Sequence, residues 1–66
     1  MEITVNGEIR SFSSPLSVSE LLRLLGIDPK LVVVERNFEI TPRSAFDGEM
    51  LSEGDSIEII RMVGGG

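Results

Sequence analysis

The residues best suited to chemistry in this 66-residue chain are its last three, Gly64-Gly65-Gly66, which follow directly on Met62-Val63. Glycine has no Cβ, so consecutive glycines cannot stabilise a helix or a strand and have no side chain to pack. They are expected to leave the folded body as a mobile arm. Such an arm can thread a channel too narrow for any other residue, with its backbone N–H and C=O groups free to bond the walls. At its tip stands the Gly66 carboxylate, unflanked by side chains and open to a nucleotide or a nucleophile. Ordering four residues on docking costs about 4–8 kcal/mol, which contacts of the folded body must offset. The implied design is a rigid docking body with a thin reactive arm: Gly66 is the reacting end, and Gly64 and Gly65 are the part that threads.

Little else in the sequence competes with the tail. There is no Cys and no His. Thiolate nucleophiles, disulfides, zinc–thiolate and iron–sulfur sites, and the commonest general base are therefore missing. Glu53, Asp55 and Glu58 are close in sequence, but a turn and a solvated strand face account for them, and calcium needs about six to eight oxygens in defined geometry. Neither a metal nor a bound cofactor is expected. Arg43 reads as a solvated surface residue that could meet an acidic group on a partner. Phe38, Ile60 and Met62 form a possible docking patch if the outer face of the sheet is bare, and belong to the core if it is covered.

Composition narrows the partners. The chain carries 11 acidic and 6 basic residues, for a net charge of −5. Nucleic-acid binding rests on basic patches that neutralise phosphates, and here the basic residues are scattered along the sequence. Neither nucleic acid nor a membrane is expected as a partner. An acidic surface suits a partner protein with a basic face, or serves only to keep a small protein soluble. No apolar run approaches the roughly 20 residues of a membrane span. The start, Met1-Glu2-Ile3-Thr4, lacks the pattern of a signal peptide, so a cytoplasmic setting is expected.

The elements that must hold the tail can be read in order. Met1, Ile3 and Val5 alternate with Glu2 and Thr4, as in a half-buried strand. Asn6-Gly7 is a two-residue hairpin turn, because both central positions of a type I′ turn need positive φ. Residues 8–12 return as an edge strand, pairing Val5 with Glu8, Ile3 with Arg10 and Met1 with Phe12. That register turns Phe12 inward and Ile9 outward. Ser17-Val18-Ser19-Glu20 is a capping box, and Val18, Leu21, Leu22 and Leu25 make one apolar stripe on a helix of about two turns. Gly26 suits the left-handed position after the helix, with Ile27 closing it, and Asp28-Pro29 prevents continuation. Leu31-Val32-Val33-Val34 predicts a strand buried on both faces or nearly so. Asn37 marks a turn, 38–41 a short strand ended by Pro42, and 43–51 an irregular stretch with Phe46, Met50 and Leu51 tucked inward. After a turn at Glu53-Gly54-Asp55, residues 56–61 form the last strand. The result is a single α+β domain over residues 1–66, with one helix across a mixed sheet and a flexible tail over 62–66. In that topology the last strand can lie parallel to the first.

Taken together, these pieces resemble the β-grasp (ubiquitin-like) fold, and specifically the thiamine-biosynthesis sulfur carriers, the ThiS family. The resemblance covers nearly the whole chain. It is carried by Ile3-Thr4-Val5-Asn6-Gly7, Val18-Ser19-Glu20-Leu21-Leu22, Val34-Glu35-Arg36-Asn37, Pro42-Arg43-Ser44, the stretch Leu51-Ser52-Glu53-Gly54-Asp55-Ser56-Ile57-Glu58-Ile59, and Val63-Gly64-Gly65-Gly66. The chain departs from the usual pattern at Phe46, where Trp is more frequent, and in having three terminal glycines.

The resemblance implies a carrier cycle. A ThiF-like adenylating enzyme uses ATP to turn the Gly66 carboxylate into an acyl-adenylate. A sulfur donor protein displaces AMP to leave a thiocarboxylate, and a ThiG-like thiazole synthase takes that sulfur into the thiamine thiazole ring. The chain itself would be a protein substrate rather than an enzyme. Related readings are a sulfur carrier for molybdopterin, tRNA thiolation or cysteine synthesis, and a ubiquitin-like modifier joined to target lysines. A plain binding module with an incidental tail is the remaining alternative.

Overall fold

The computed structural model describes residues 1–63. The strands are β1 (Glu2–Val5), β2 (Glu8–Ser11), β3 (Val32–Arg36), β4 (Glu39–Thr41) and β5 (Ser56–Arg61), and the helix α1 spans Val18–Leu24. They form one sheet in the order β2-β1-β5-β3-β4. β5 runs parallel to β1 and antiparallel to β3, so the sheet is mixed and its last strand is central.

Local sequence explains each element. Asn6 and Gly7 have φ of 49° and 84°, as the type I′ turn requires, and Val5 pairs with Glu8 and Ile3 with Arg10. Met1 and Phe12 continue that register: the Phe12 N–H donates to the Met1 carbonyl at 2.8 Å. At the start of α1 the Glu20 N–H donates to the Ser17 hydroxyl at 3.1 Å, and the Ser17 N–H donates to Glu20 Oε1 at 3.0 Å. Such a cap contributes about 1 kcal/mol. At the other end Gly26 takes φ 71°, its N–H donates to the Arg23 carbonyl at 3.1 Å, and the Ile27 N–H reaches the Leu22 carbonyl at 2.9 Å. These two bonds are the Schellman pattern.

The helix buries Val18, Leu21 and Leu22 against Ile3, Val5, Val34 and Ile57 of the sheet, with Phe46 and Leu51 closing the end of the core. Each such side chain contributes about 1.5–3 kcal/mol relative to exposure, so α1 owes its stability to this face more than to its own seven residues.

Three expectations are corrected. The run 31–34 is buried on one face only: Val32 and Val34 are buried, Val33 is half-buried, and Leu31 is exposed in a 3₁₀ turn spanning Pro29–Leu31. Uniform hydrophobicity concealed an alternation, because the outer face of β3 carries no second layer. Phe38 does not open β4. It shares the two-residue turn with Asn37, at φ 71° and 51°, because Arg36 pairs with Glu39. Met50 is exposed, while Phe46 and Leu51 point inward as expected.

Candidate functional site

β5 sets where the tail begins. β3 holds its tail end, with Val32 opposite Arg61 and Val33 opposite Ile60, while β1 pairs with its start at Ser56 and Ile57. One further bond, from the Met62 N–H to the Leu31 carbonyl at 2.9 Å, ties the chain to the body beyond the strand. Of the residues assigned to the flexible tail, Met62 is therefore still anchored, and Val63 is the first to stand free of the surface, 90 % exposed. Gly64, Gly65 and Gly66, named from sequence as the threading and reacting residues, lie outside the described residues.

The sheet is covered by α1 on one face. The register places Thr4, Ser56, Glu58, Ile60, Val33, Glu35, Ile9 and Ile40 on the other. Ile60 is 44 % exposed there. Met62 borders a cleft with Val33, Ile40 and Pro42, so the apolar surface runs up to the base of the tail. The structure brings Ile60 and Met62 to this end of the molecule. It does not bring Phe38, whose turn follows Arg36, opposite Ile57 at the start of β5. Phe38 is 90 % exposed at the far end of the sheet.

Val33 and Ile40 were missed from the sequence as members of this surface. The turn at 37–38 would have identified Ile40, since pairing Arg36 with Glu39 puts Glu35 and Ile40 opposite each other on one face. Arg43 is exposed and borders the same cleft as Met62.

The three carboxylates Glu53, Asp55 and Glu58 are dispersed. Glu53 Oε1 accepts the Glu2 N–H at 3.0 Å, Glu58 lies on the outer face opposite Glu35, and Asp55 is buried. No group of acidic side chains among the described residues is arranged to hold a metal ion. No helix among them is long and apolar enough to cross a membrane.

Asp55 instead organises the end of the sheet remote from the tail. Its Oδ2 accepts from Arg36 Nε at 2.9 Å and from the Ser52 N–H at 2.7 Å, and its Oδ1 accepts from Asn37 Nδ2 at 3.1 Å. Arg36 also donates to Glu49 Oε2 at 2.8 Å. Burial pushes the Asp55 carboxyl up, but the Ser52 N–H, the Asn37 amide and the Arg36 guanidinium together hold it below the ordinary carboxylate value. The Glu49 hydrogen bond is the main reason Arg36 is raised above its usual value, which keeps its charge at every working pH.

A carboxyl depressed on folding stabilises the fold above its unfolded pKa of about 3.9, and that contribution is lost as pH falls through the folded value. Urea unfolding midpoints of the wild type are therefore expected to drop on acidification below pH ~4. An Asp55→Asn variant should start lower at neutral pH and converge on the wild type in acid. Parallel curves for the two proteins would remove Asp55 as the source of the acid sensitivity.

The comparisons with known proteins agree with this geometry. The ThiS family model matches residues 3–66. The crystal structure of a thiamine biosynthesis protein (ThiS) from Geobacter metallireducens superposes with a TM-score of 0.88 at 38 % identity, covering 100 % of both chains. The sulfur carrier protein ThiS of Bacillus subtilis is 38 % identical over 50 residues, 76 % of each chain. A thiazole synthase of Paramagnetospirillum magneticum is 44 % identical over the whole of this chain, which spans only 20 % of that protein.

Proposed function

Since this chain belongs to the ThiS family, we propose that it is a sulfur carrier of thiamine biosynthesis whose cargo is held at the Gly66 carboxylate. The observation that carries the reading is the placement of Met62-Val63-Gly64-Gly65-Gly66 directly after the central strand of a β-grasp body. A strand paired with β3 up to Arg61 gives the tail a fixed origin, and the glycines give it minimal width.

The chemistry follows from what a carboxylate lacks. It is a poor electrophile, because hydroxide or oxide is a poor leaving group. Attack of a Gly66 oxygen on the α-phosphate of ATP releases pyrophosphate and leaves an acyl-adenylate. Sulfide-level sulfur released by the donor then attacks the carbonyl carbon as HS⁻, AMP departs, and loss of a proton leaves a thiocarboxylate. Held there, it is a tethered nucleophile rather than free sulfide. Catalysis of both steps falls to partners, and the chain serves as their substrate in the cytoplasm.

The partners are a ThiF-like adenylating enzyme, a sulfur donor protein and a ThiG-like thiazole synthase. The last is supported by relatives named thiazole synthase that contain a segment resembling this entire chain. The apolar surface around Ile60 and Met62, continuous with the tail, is the docking face for the enzyme that receives the tail. Phe38, at the other end, would stay accessible while the tail is engaged.

The test is the intact mass of the protein after incubation with a purified ThiF-like enzyme, ATP and a sulfur donor. One oxygen replaced by sulfur adds about 16 Da, a shift that methionine oxidation mimics, so tandem fragmentation must place it at Gly66. The same spectrum reads whether Gly66 carries a free carboxylate. Sulfur located there establishes the carrier reading, and an unshifted Gly66 fragment under these conditions removes it.

A further inference from the structure

We propose that Lys30, Arg43 and Arg61 form a basic collar around the exit of the tail, and that this collar seats on an acidic rim at the channel entrance of the adenylating partner. The inference rests on the carrier reading and adds to it the surface that orients docking.

Three separate parts of the chain supply the collar. Lys30 sits in the 3₁₀ turn before β3, next to Leu31, whose carbonyl accepts the Met62 N–H at 2.9 Å. Arg61 ends β5 opposite Val32. Arg43 opens the 3₁₀ turn after β4 and shares a cleft with Val32 and Met62. All three are exposed. The ion pairs among the described residues are those of Arg10 with Glu8 and of Arg36 with Glu49 and Asp55, so no carboxylate lies within 4.0 Å of a collar charge there. Asp28, the nearest acid along the chain, caps the Lys30 backbone N–H through Oδ1 at 2.9 Å.

Asp28 is thus an acid beside the collar, and four others lie elsewhere. Glu2 and Glu53 are joined at the far end, and Glu49 and Asp55 surround Arg36. A chain of net charge −5 thus carries a locally positive end, and that end is where the tail leaves. An acidic rim attracts this pole and repels the rest of the body, which selects tail-first encounter. The occupant is a protein and not a nucleic acid, because Leu31, Met62 and Val63 stand exposed among the charges. A protein rim offers them apolar area, while a phosphate backbone does not.

The experiment measures ATP-dependent adenylation of the carrier by a purified ThiF-like enzyme at several salt concentrations. The triple variant Lys30→Gln, Arg43→Gln, Arg61→Gln is expected to raise the KM for the carrier about tenfold at low salt, with kcat unchanged. The wild-type KM should climb with salt toward that of the variant. A charge-keeping triple, Lys30→Arg, Arg43→Lys, Arg61→Lys, should retain the wild-type KM, and Arg10→Gln should leave it unchanged. Melting curves confirm that each variant is folded.

An unchanged KM and salt slope in the folded triple variant would overturn the collar while leaving the carrier reading intact. So would a loss confined to kcat, or saturable binding of single-stranded DNA that the triple variant abolishes. Absence of any wild-type adenylation removes the carrier reading and the collar with it.

Discussion

Replacing Gly65 by valine is expected to lower thiocarboxylate formation by at least about 100-fold while leaving the melting temperature unchanged. The argument is steric. A channel fitted to consecutive glycines has no room for a branched Cβ, and a carboxylate held about 1 Å from its productive position loses roughly that factor. β-Branching also restricts the backbone and side chain at this position to fewer conformers. The body is expected to be untouched, since Gly65 comes after Met62, the last of the described residues that hydrogen-bonds to a neighbouring strand region. Far-UV circular dichroism should be identical in the two proteins. Single-turnover adenylation separates the steps: the deficit should already be present at pyrophosphate release. Turnover of Gly65→Val at the wild-type rate would mean that the partner's channel is wide, and the case for glycine at this position would fall.

The second large effect concerns the body. Leu21→Ala is expected to cost about 3 kcal/mol, because Leu21 is fully buried between α1 and the sheet and its removal leaves a cavity. A domain of this size has a total stability of only about 3–10 kcal/mol, so the variant should melt more than roughly 10 °C lower and be partly unfolded at physiological temperature. Leu24, on the same helix, is 64 % exposed, and Leu24→Ala should stay within about 0.5 kcal/mol of the wild type. A loss below about 1 kcal/mol at Leu21 would contradict the packing of the helix on the sheet.

Much of this was legible in the chain. Wherever a local rule had one outcome, sequence and structure agree. Asn6-Gly7 admits one turn type and therefore one register. Ser17 with Glu20 fixes where α1 starts, and Gly26 fixes where it stops. The glycine tail pointed to Gly66 on sequence alone, since no other segment lacks side chains, and that residue lies outside the described ones.

What was not legible depended on the absence of a layer. Leu31 and Val33 are as apolar as Val32 and Val34, and only the bare outer face distinguishes them. Phe38 was misplaced because a phenylalanine at positive φ runs against preference, so the turn was drawn one residue too short. The basic collar was invisible for a different reason: Lys30, Arg43 and Arg61 are scattered in sequence and converge only when β3, β4 and β5 are assembled.

The central position of β5 has a consequence for biosynthesis. Synthesis runs from the N-terminus to the C-terminus, so of the five strands the one that joins both halves of the sheet arrives last. Until it emerges, the hairpin of β1 with β2 and the hairpin of β3 with β4 have no strand between them. The contacts that close the structure, Glu2 with Glu53 and Asn6 with Ile59, span 51 and 53 positions. The sheet therefore cannot close until Ser56–Arg61 is available, and its closure is comparatively slow, as for any topology with distant pairings. A ribosome that stalls before Ser56 releases a fragment that lacks the middle of its sheet. Such a fragment is a substrate for proteolysis rather than a folded domain.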